Sequence, residues 1–165
     1  WLLGSSLFSA QLAAQLGLPY AFASHFAPRM LLEAVELYKS NFRPSAQLAE
    51  PYVIIGAPVV VADTEQEAKY LATSGQQKIL SLFRGEDISL VPPVDSMEGH
   101  WLPHEQHGVE QFLAAAAIGT PQQVAHKLNS LLAQTGANEI MVISDIYDQA
   151  ARHHSLSLLA DLAKD

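Results

Sequence analysis

The sequence predicts an α/β fold built around a parallel sheet, and three observations carry that prediction. Short apolar, strand-type runs alternate with segments whose apolar residues recur at helical spacing. Helix boundaries are marked at the junctions: Asp63 with Gln66, and Thr120-Pro121 with Gln123, read as starts, while Gly17 and Gly136 read as stops. The strand-type runs are apolar almost throughout, as strands covered by helices on a parallel sheet are.

In chain order, residues 1–3 read as a strand, and residues 7–16 as a helix that Gly17 ends. Residues 20–23, after Pro19, form a second short strand. Pro28 stands where a helix would begin, and Leu31, Ala34, Val35 and Tyr38 follow at helical spacing. Residues 40–50, with Pro44, are a loop. Residues 52–62 are a long apolar strand, in which Pro58 suggests a bulge or a strand end because it removes a ladder donor.

With Asp63 as N-cap, the next helix aligns Ala68, Leu71, Gly75, Ile79 and Leu82 on one face. Residues 85–105 are rich in Pro, Gly and acids and form a long excursion, a length that is uncommon unless functional or disordered. Residues 109–117 read as helical. The helix opened by Thr120 buries Val124, Leu128, Leu131 and Leu132. A fourth strand covers 139–144, and a last helix runs over 148–162. Four such strands suit a small open sheet or half of an eight-stranded barrel, and periodicity does not separate the two.

Composition narrows the function. With 165 residues, 49% hydrophobic and 16% charged, a disordered or fibrous chain is excluded and residues 1–165 are expected to form one domain. A formal net charge of −8 with no Lys/Arg cluster repels phosphate backbones, so no nucleic-acid partner is expected. The absence of cysteine excludes disulfides and thiolate metal sites. The longest apolar run, residues 53–62, falls well short of the ~20 residues of a membrane helix, and no signal peptide is visible. No membrane partner and a cytoplasmic location are therefore expected. Trp1 opens directly in an apolar run, which suggests that a preceding stretch is missing.

Chemistry is best placed at Gly4-Ser5-Ser6-Leu7-Phe8-Ser9, between the first strand and its helix. Gly4 permits a sharp turn and close approach of a ligand. Ser5, Ser6 and Ser9 supply hydroxyls, and the helix start supplies free N–H groups and the positive dipole end. A phosphate would be held there; the alternative is an ordinary serine cap. Ser24-His25 lies just past the second strand, where His25 would move a proton at a barrel mouth or be satisfied by a loop carbonyl. His100, Trp101, His104 and His107 lie in or beside the excursion. His104 and His107 share i,i+3 spacing but lack a confirming third ligand, so no metal is expected. The excursion is read as a lid, with Met97 and Trp101 shielding a cofactor, or as a surface loop. His153 and His154 are read as surface residues, and Asp145 and Asp148 as helix caps.

The block from Trp1 to Pro19, WLLGSSLFSAQLAAQLGLP, resembles the fifth strand and helix of the bacterial luciferase-like flavin-dependent monooxygenase family. Tyr20-Ala21-Phe22-Ala23-Ser24-His25-Phe26 is similar to a subgroup of oxidoreductases with that fold. Ile118-Gly119-Thr120-Pro121-Gln122-Gln123-Val124 resembles the family's late helix start, and Asn138-Glu139-Ile140-Met141-Val142 its last barrel strand. The resemblance implies the C-terminal half, four β/α units, of a TIM (β/α)8 barrel. It implies an FMN-dependent monooxygenase of the two-component type, which takes reduced FMN as co-substrate from a separate flavin reductase. One oxygen atom of O2 passes to an organic substrate. By the same resemblance Ser5, Ser6 and Ser9 fall on positions that contact the FMN phosphate, with Gly4 supplying the turn. At the Ser5 position, where luciferase has a carboxylate residue, only a backbone contact carries over. No catalytic residue is assigned, because the family's catalytic His belongs to the N-terminal half. The half-barrel alone is expected to be inactive and to associate as a homo-oligomer, a dimer, or with its other half. The alternative reading is a non-catalytic flavin-binding or interaction protein with a shortened barrel.

Overall fold

The computed structural model describes residues 1–162. Its elements run β1 (Leu2–Gly4), α1 (Leu7–Leu16), β2 (Tyr20–Phe22), a 3₁₀ turn (Pro28–Met30), α2 (Leu31–Asn41), β3 (Val53–Val61) and α3 (Glu65–Arg84). They continue with α4 (Pro103–Phe112), β4 (Ala117–Gly119), α5 (Pro121–Thr135), β5 (Glu139–Ile143) and α6 (Gln149–Leu162). By contact density the chain divides into two compact units, Trp1–Ala57 with Leu128–Val142, and Pro58–Lys127 with the chain from Ile143 onward.

In the first unit β1 pairs in parallel with β2, Leu2 opposite Tyr20 and Gly4 opposite Phe22. β2 pairs in parallel with β3, Tyr20 opposite Val53 and Phe22 opposite Ile55. The buried face of α1 is Ser9, Ala10, Ala13 and Ala14, small side chains that let α2 approach closely. α2 buries Leu31, Ala34, Val35 and Tyr38. Gly17 caps α1 in the left-handed region at φ 62°, and Leu18 N–H returns to Ala13 O at 3.0 Å. Tyr38 Oη donates to Leu18 O at 2.9 Å and accepts from Tyr52 N–H at 3.2 Å. The second half of α5 is tied down at its C-terminus, where Lys39 Nζ donates to Thr135 O at 2.8 Å and Gly136 O at 2.6 Å. β5 pairs with β3, and Asn138 at its head binds Val53 through both backbone and side chain.

In the second unit the end of β3 pairs in parallel with β4, Val59 opposite Ala117 and Val61 opposite Gly119. β3 does not stop at Pro58. The proline falls between the stretch that pairs with β2 and the stretch that pairs with β4, where a missing donor interrupts neither ladder. α3 is capped by Thr64 rather than Asp63: Thr64 Oγ1 accepts Glu67 N–H at 3.2 Å. Its inner face meets Val60, Ala62 and Ile146 through Ala68, Leu71 and Ala72. Farther along, Ile79 and Leu80 meet Met97 and Val109.

β4 is a fifth strand where four were expected, and the helix expected over 109–117 is displaced. α4 runs from Pro103 to Phe112, with Pro at its first position and Glu105 Oε2 accepting Leu102 N–H at 2.7 Å. The alanine run that follows has helical propensity, but it passes into a three-residue strand because β3 offers an open ladder.

Candidate functional site

Gly4 O accepts Ala23 N–H at 2.9 Å, so the bend after β1 and the turn after β2 lie side by side at the C-terminal ends of their strands. Ser6 is the N-cap of α1, in extended conformation, with its Oγ accepting Ser9 N–H at 3.2 Å. Ser9 Oγ in turn accepts Ser6 N–H at 3.3 Å and donates to Ser6 O at 2.7 Å. The first turn of any helix leaves its N–H groups without helical acceptors. Here Ser6 takes that of Ser9, which leaves the Leu7 and Phe8 donors at the bend. No acidic side chain stands in this first turn.

Gly4 is required by space rather than by a left-handed backbone. Its φ is not positive, and a Cβ there would overlap the Ser9 side chain. The glycine makes room for Ser9, which fills the inside of the bend. Ser9 is buried, Ser5 half-buried and Ser6 exposed. Beneath the bend, Tyr20 from β2 places its Oη 2.9 Å from Ser9 Oγ and 3.3 Å from Ser6 O. Tyr20 is completely buried, and burial holds its phenol above the usual range, partly offset by the bond to Ser9. Sequence reading missed Tyr20: it reads as an ordinary core aromatic, and only the β1–β2 pairing brings it under the bend.

The arrangement is a concentration of donors at a helix start without a carboxylate, which suits an anion with several oxygens. A phosphate fits it. Ser5 and Ser6 are placed to meet such a group through hydroxyl or backbone, and Ser9 shapes the bend from within.

Past β2, Ser24 is buried and its hydroxyl donates to Gly56 O. The His25 ring stacks on Phe26 with centroids 4.3 Å apart, and Phe26 is exposed. His25 thus stands in the turn beside the serine bend. Asp145 is not a cap: it accepts an ion pair from Lys78 Nζ at 2.8 Å. Asp148 does cap α6, through Ala151 N–H at 2.8 Å. His154 Nε2 is 2.9 Å from Asp63 Oδ2, the carboxylate that Thr64 released from capping. His100, His104 and His107 are exposed. Met97 is buried against α3 and α4, and Trp101 packs partly on the same cluster.

The second unit also holds a groove of about 1180 Å³ along the first half of α3, with Tyr70, Thr73, Asp95, Met97 and Trp101 among its walls. None of its lining residues belongs to the serine bend. Sequence reading did not foresee it, because it arises where the excursion folds back on α3: Val94 N–H donates to Thr73 Oγ1 at 2.9 Å. Among the described residues no helix is long and apolar enough to cross a membrane.

Several known proteins are similar to this chain. A luciferase-like monooxygenase of Escherichia coli (strain K12) is 51% identical over 165 residues, covering 100% of this chain and 49% of that protein. The uncharacterised protein YvbT of Bacillus subtilis (strain 168) is 45% identical over the same span, again 49% of its length. The chain therefore spans about half the length of the curated relatives it matches. Among solved structures, apo-MsnO8 superposes with a TM-score of 0.88 at 33% identity, over 99% of this chain and 50% of that one. The oxygenating constituent of 3,6-diketocamphane monooxygenase from Pseudomonas putida, solved with FMN, shares the fold at TM-score 0.61 and 18% identity. That match covers 95% of this chain and 45% of that one. The α/β architecture with its parallel strands is accordingly half of a TIM (β/α)8 barrel. Residues 1–139 match the luciferase-like monooxygenase family, and the chain belongs to that family.

Proposed function

We propose that Gly4, Ser5, Ser6 and Ser9 seat the phosphate of FMN, and that the protein carrying this chain is a flavin-dependent monooxygenase. Reduced FMN is the co-substrate, delivered by a separate reductase, and one oxygen atom of O2 passes to a small organic substrate in the cytoplasm. The observation that carries this reading is the bend itself, where hydroxyls and first-turn N–H groups of α1 gather with no acid among them. When bound, the flavin supplies the electrons and the oxygen chemistry. The chain's own residues bind and orient. Ser5, Ser6 and the Leu7 and Phe8 N–H groups hold the phosphate, the positive end of α1 favours its charge, and His25 stands at the same strand ends, placed to hold or move a proton.

Exposed apolar side chains on β1 and β5, Leu3 and Met141, support association with a second copy or with the rest of a barrel. Turnover by the 165-residue chain alone is not expected.

The test compares FMN with riboflavin, which differ only in the phosphate, by flavin fluorescence titration. The expected result is a preference for FMN that Ser6→Gly reduces about tenfold, the scale of one hydrogen bond to a charged group. Glycine is chosen because it remains an acceptable N-cap. Equal affinity for the two flavins in the unmodified chain would overturn the phosphate seat. FMN binding retained without oxygen-dependent product in the protein carrying the whole barrel would favour the non-catalytic flavin-binding reading.

A further inference from the structure

The groove along the first half of α3 is walled by three parts of the second unit. Glu67 and Tyr70 come from α3, Asp95 and Met97 from the excursion, and Glu110 from α4. Its walls are pinned. Val94 N–H donates to Thr73 Oγ1 at 2.9 Å and Gln77 Nε2 donates to Pro92 O at 3.0 Å, which ties the excursion to α3 at two points just before Asp95. Met97 is buried in the cluster with Ile79, Leu80 and Val109, and Trp101 packs on the same cluster. Core packing therefore fixes these apolar walls, while Tyr70 keeps 39% of its surface open.

The charges around the groove are not balanced. Among the described residues of its lining Lys69 is the one cation, and its Nζ is 2.5 Å from Glu65 Oε1 on the same helix. Glu67, Asp95 and Glu110 form no ion pair among the described residues. A hollow of about 1180 Å³ thus sets uncompensated negative charge beside aromatic and thioether surface, which complements a cation with an apolar body. The placement of the carboxylates selects the kind of cation. A metal ion needs several oxygen ligands converging on one point, and among the described residues no group of three or more His, Asp or Glu is placed to hold one. The three carboxylates instead stand on three separate segments, so one compact ammonium would meet only part of them. A linear chain of ammonium groups separated by methylenes would meet them in turn, with its methylenes against Met97 and its charges at the faces of Tyr70 and Trp101. We propose that this groove is a binding site for a free aliphatic polyamine. The inference stands apart from the serine bend, none of whose residues lines the groove.

The test is calorimetric titration of the protein carrying this chain with spermidine at fixed ionic strength, with thermal melts following the fold of each variant. Saturable binding at one site is expected. Glu67→Gln and Asp95→Asn should each weaken it about threefold to fivefold, the scale of an exposed ion pair. Tyr70→Leu, at a partly exposed position that leaves the charge unchanged, should weaken it about threefold through the lost aromatic face. Glu33→Gln, which removes an exposed carboxylate of α2 outside the groove, should leave it unchanged. Absence of saturable binding overturns the proposal. Equal losses from Glu33→Gln and Asp95→Asn also overturn it, because they mark attraction to an acidic surface at large. Binding unmoved by Tyr70→Leu, or displaced by magnesium ion beyond what its ionic strength accounts for, overturns the polyamine assignment. A lysine-rich peptide that saturates the groove where spermidine does not would replace the free amine with a polypeptide partner.

Discussion

The Arg84 guanidinium grips the Glu105 carboxylate through two bonds, Nε to Oε1 and Nη2 to Oε2, each 2.8 Å. Arg84 is the last residue of α3 and Glu105 lies in the first turn of α4, so this fork closes the excursion between the two helices at its ends. Arg84 Nη2 also reaches His100 O at 3.1 Å inside the excursion. The bidentate form gives geometric definition that a single exposed contact lacks.

From that pair follows a pH dependence. The bonds from Arg84, and then from Leu102 N–H, lower the Glu105 pKa from 4.5 to about 2. A carboxyl that ionises more readily when folded binds fewer protons in the native state, so its contribution is complete above pH 4.5 and is lost as pH falls toward 2. Glu105→Gln is expected to lower Tm at pH 7, with the gap to the unmodified protein closing between pH 4.5 and 2. Thermal melts across that range check it; a gap constant with pH would show that the charge is not what stabilises the contact.

Gly4→Ala isolates the steric demand of the serine bend. The backbone there needs no positive φ, so the loss comes from collision with the Ser9 side chain, of the order of 1–3 kcal/mol for overpacking a tight site. Combining it with Ser9→Gly removes the collision partner. The double variant is expected to be more stable than the sum of the two single losses predicts, as measured by denaturant unfolding. Strict additivity would mean that Gly4 serves some other purpose.

Local signals carried most of this fold into the sequence. α1 is legible because its start, Ser6 with Ser9, and its stop, Gly17, are both chain-local. α5 is legible from Thr120-Pro121 and Gln123, whose Oε1 accepts Thr120 N–H at 2.9 Å. Harder to read is anything decided by tertiary partners. Asp63 and Thr64 are both competent caps, and α3 starts one residue later than expected, with Asp63 beside His154 some ninety residues away. β4 has three residues and no signature of its own apart from the ladder β3 offers. The serine bend was legible as a helix cap and a candidate site, whereas its internal wiring was not, since Gly4 and Tyr20 act through contacts that only folding creates.

Two left-handed helix caps give a controlled comparison. Gly17 and Gly85 end α1 and α3 at φ 62° and 69°. An added Cβ at Gly85 meets nothing within 4 Å, whereas at Gly17 it meets the Ser45 side chain at 2.6 Å and overlaps Arg43 O. Gly85→Ala should therefore cost only the left-handed conformation, about 1–2 kcal/mol. Gly17→Ala should cost clearly more, because Arg43 O belongs to backbone that itself bonds back to α1 through Arg43 N–H and Ala14 O at 3.0 Å. Denaturant unfolding of the two variants checks the order, and equal losses would mean that the loop after α2 yields freely.

Gly75 runs the opposite way. It lies inside α3 with ordinary helical backbone, where glycine is disfavoured by about 0.8–1.0 kcal/mol relative to alanine. The nearest atom to an added Cβ is Asp145 Cβ at 3.4 Å, then Asp145 O at 3.9 Å, both ordinary van der Waals separations. Asp145 is held by Lys78 at 2.8 Å, an i+3 neighbour of Gly75 on the same helix, so the new methyl group packs against a residue already fixed in place. Gly75→Ala is expected to stabilise the protein by about 0.5–1 kcal/mol, seen as a higher denaturation midpoint at unchanged m-value. A lower midpoint would show that Asp145 is forced off Lys78, and in that case Lys78→Met should abolish most of the difference between glycine and alanine at position 75.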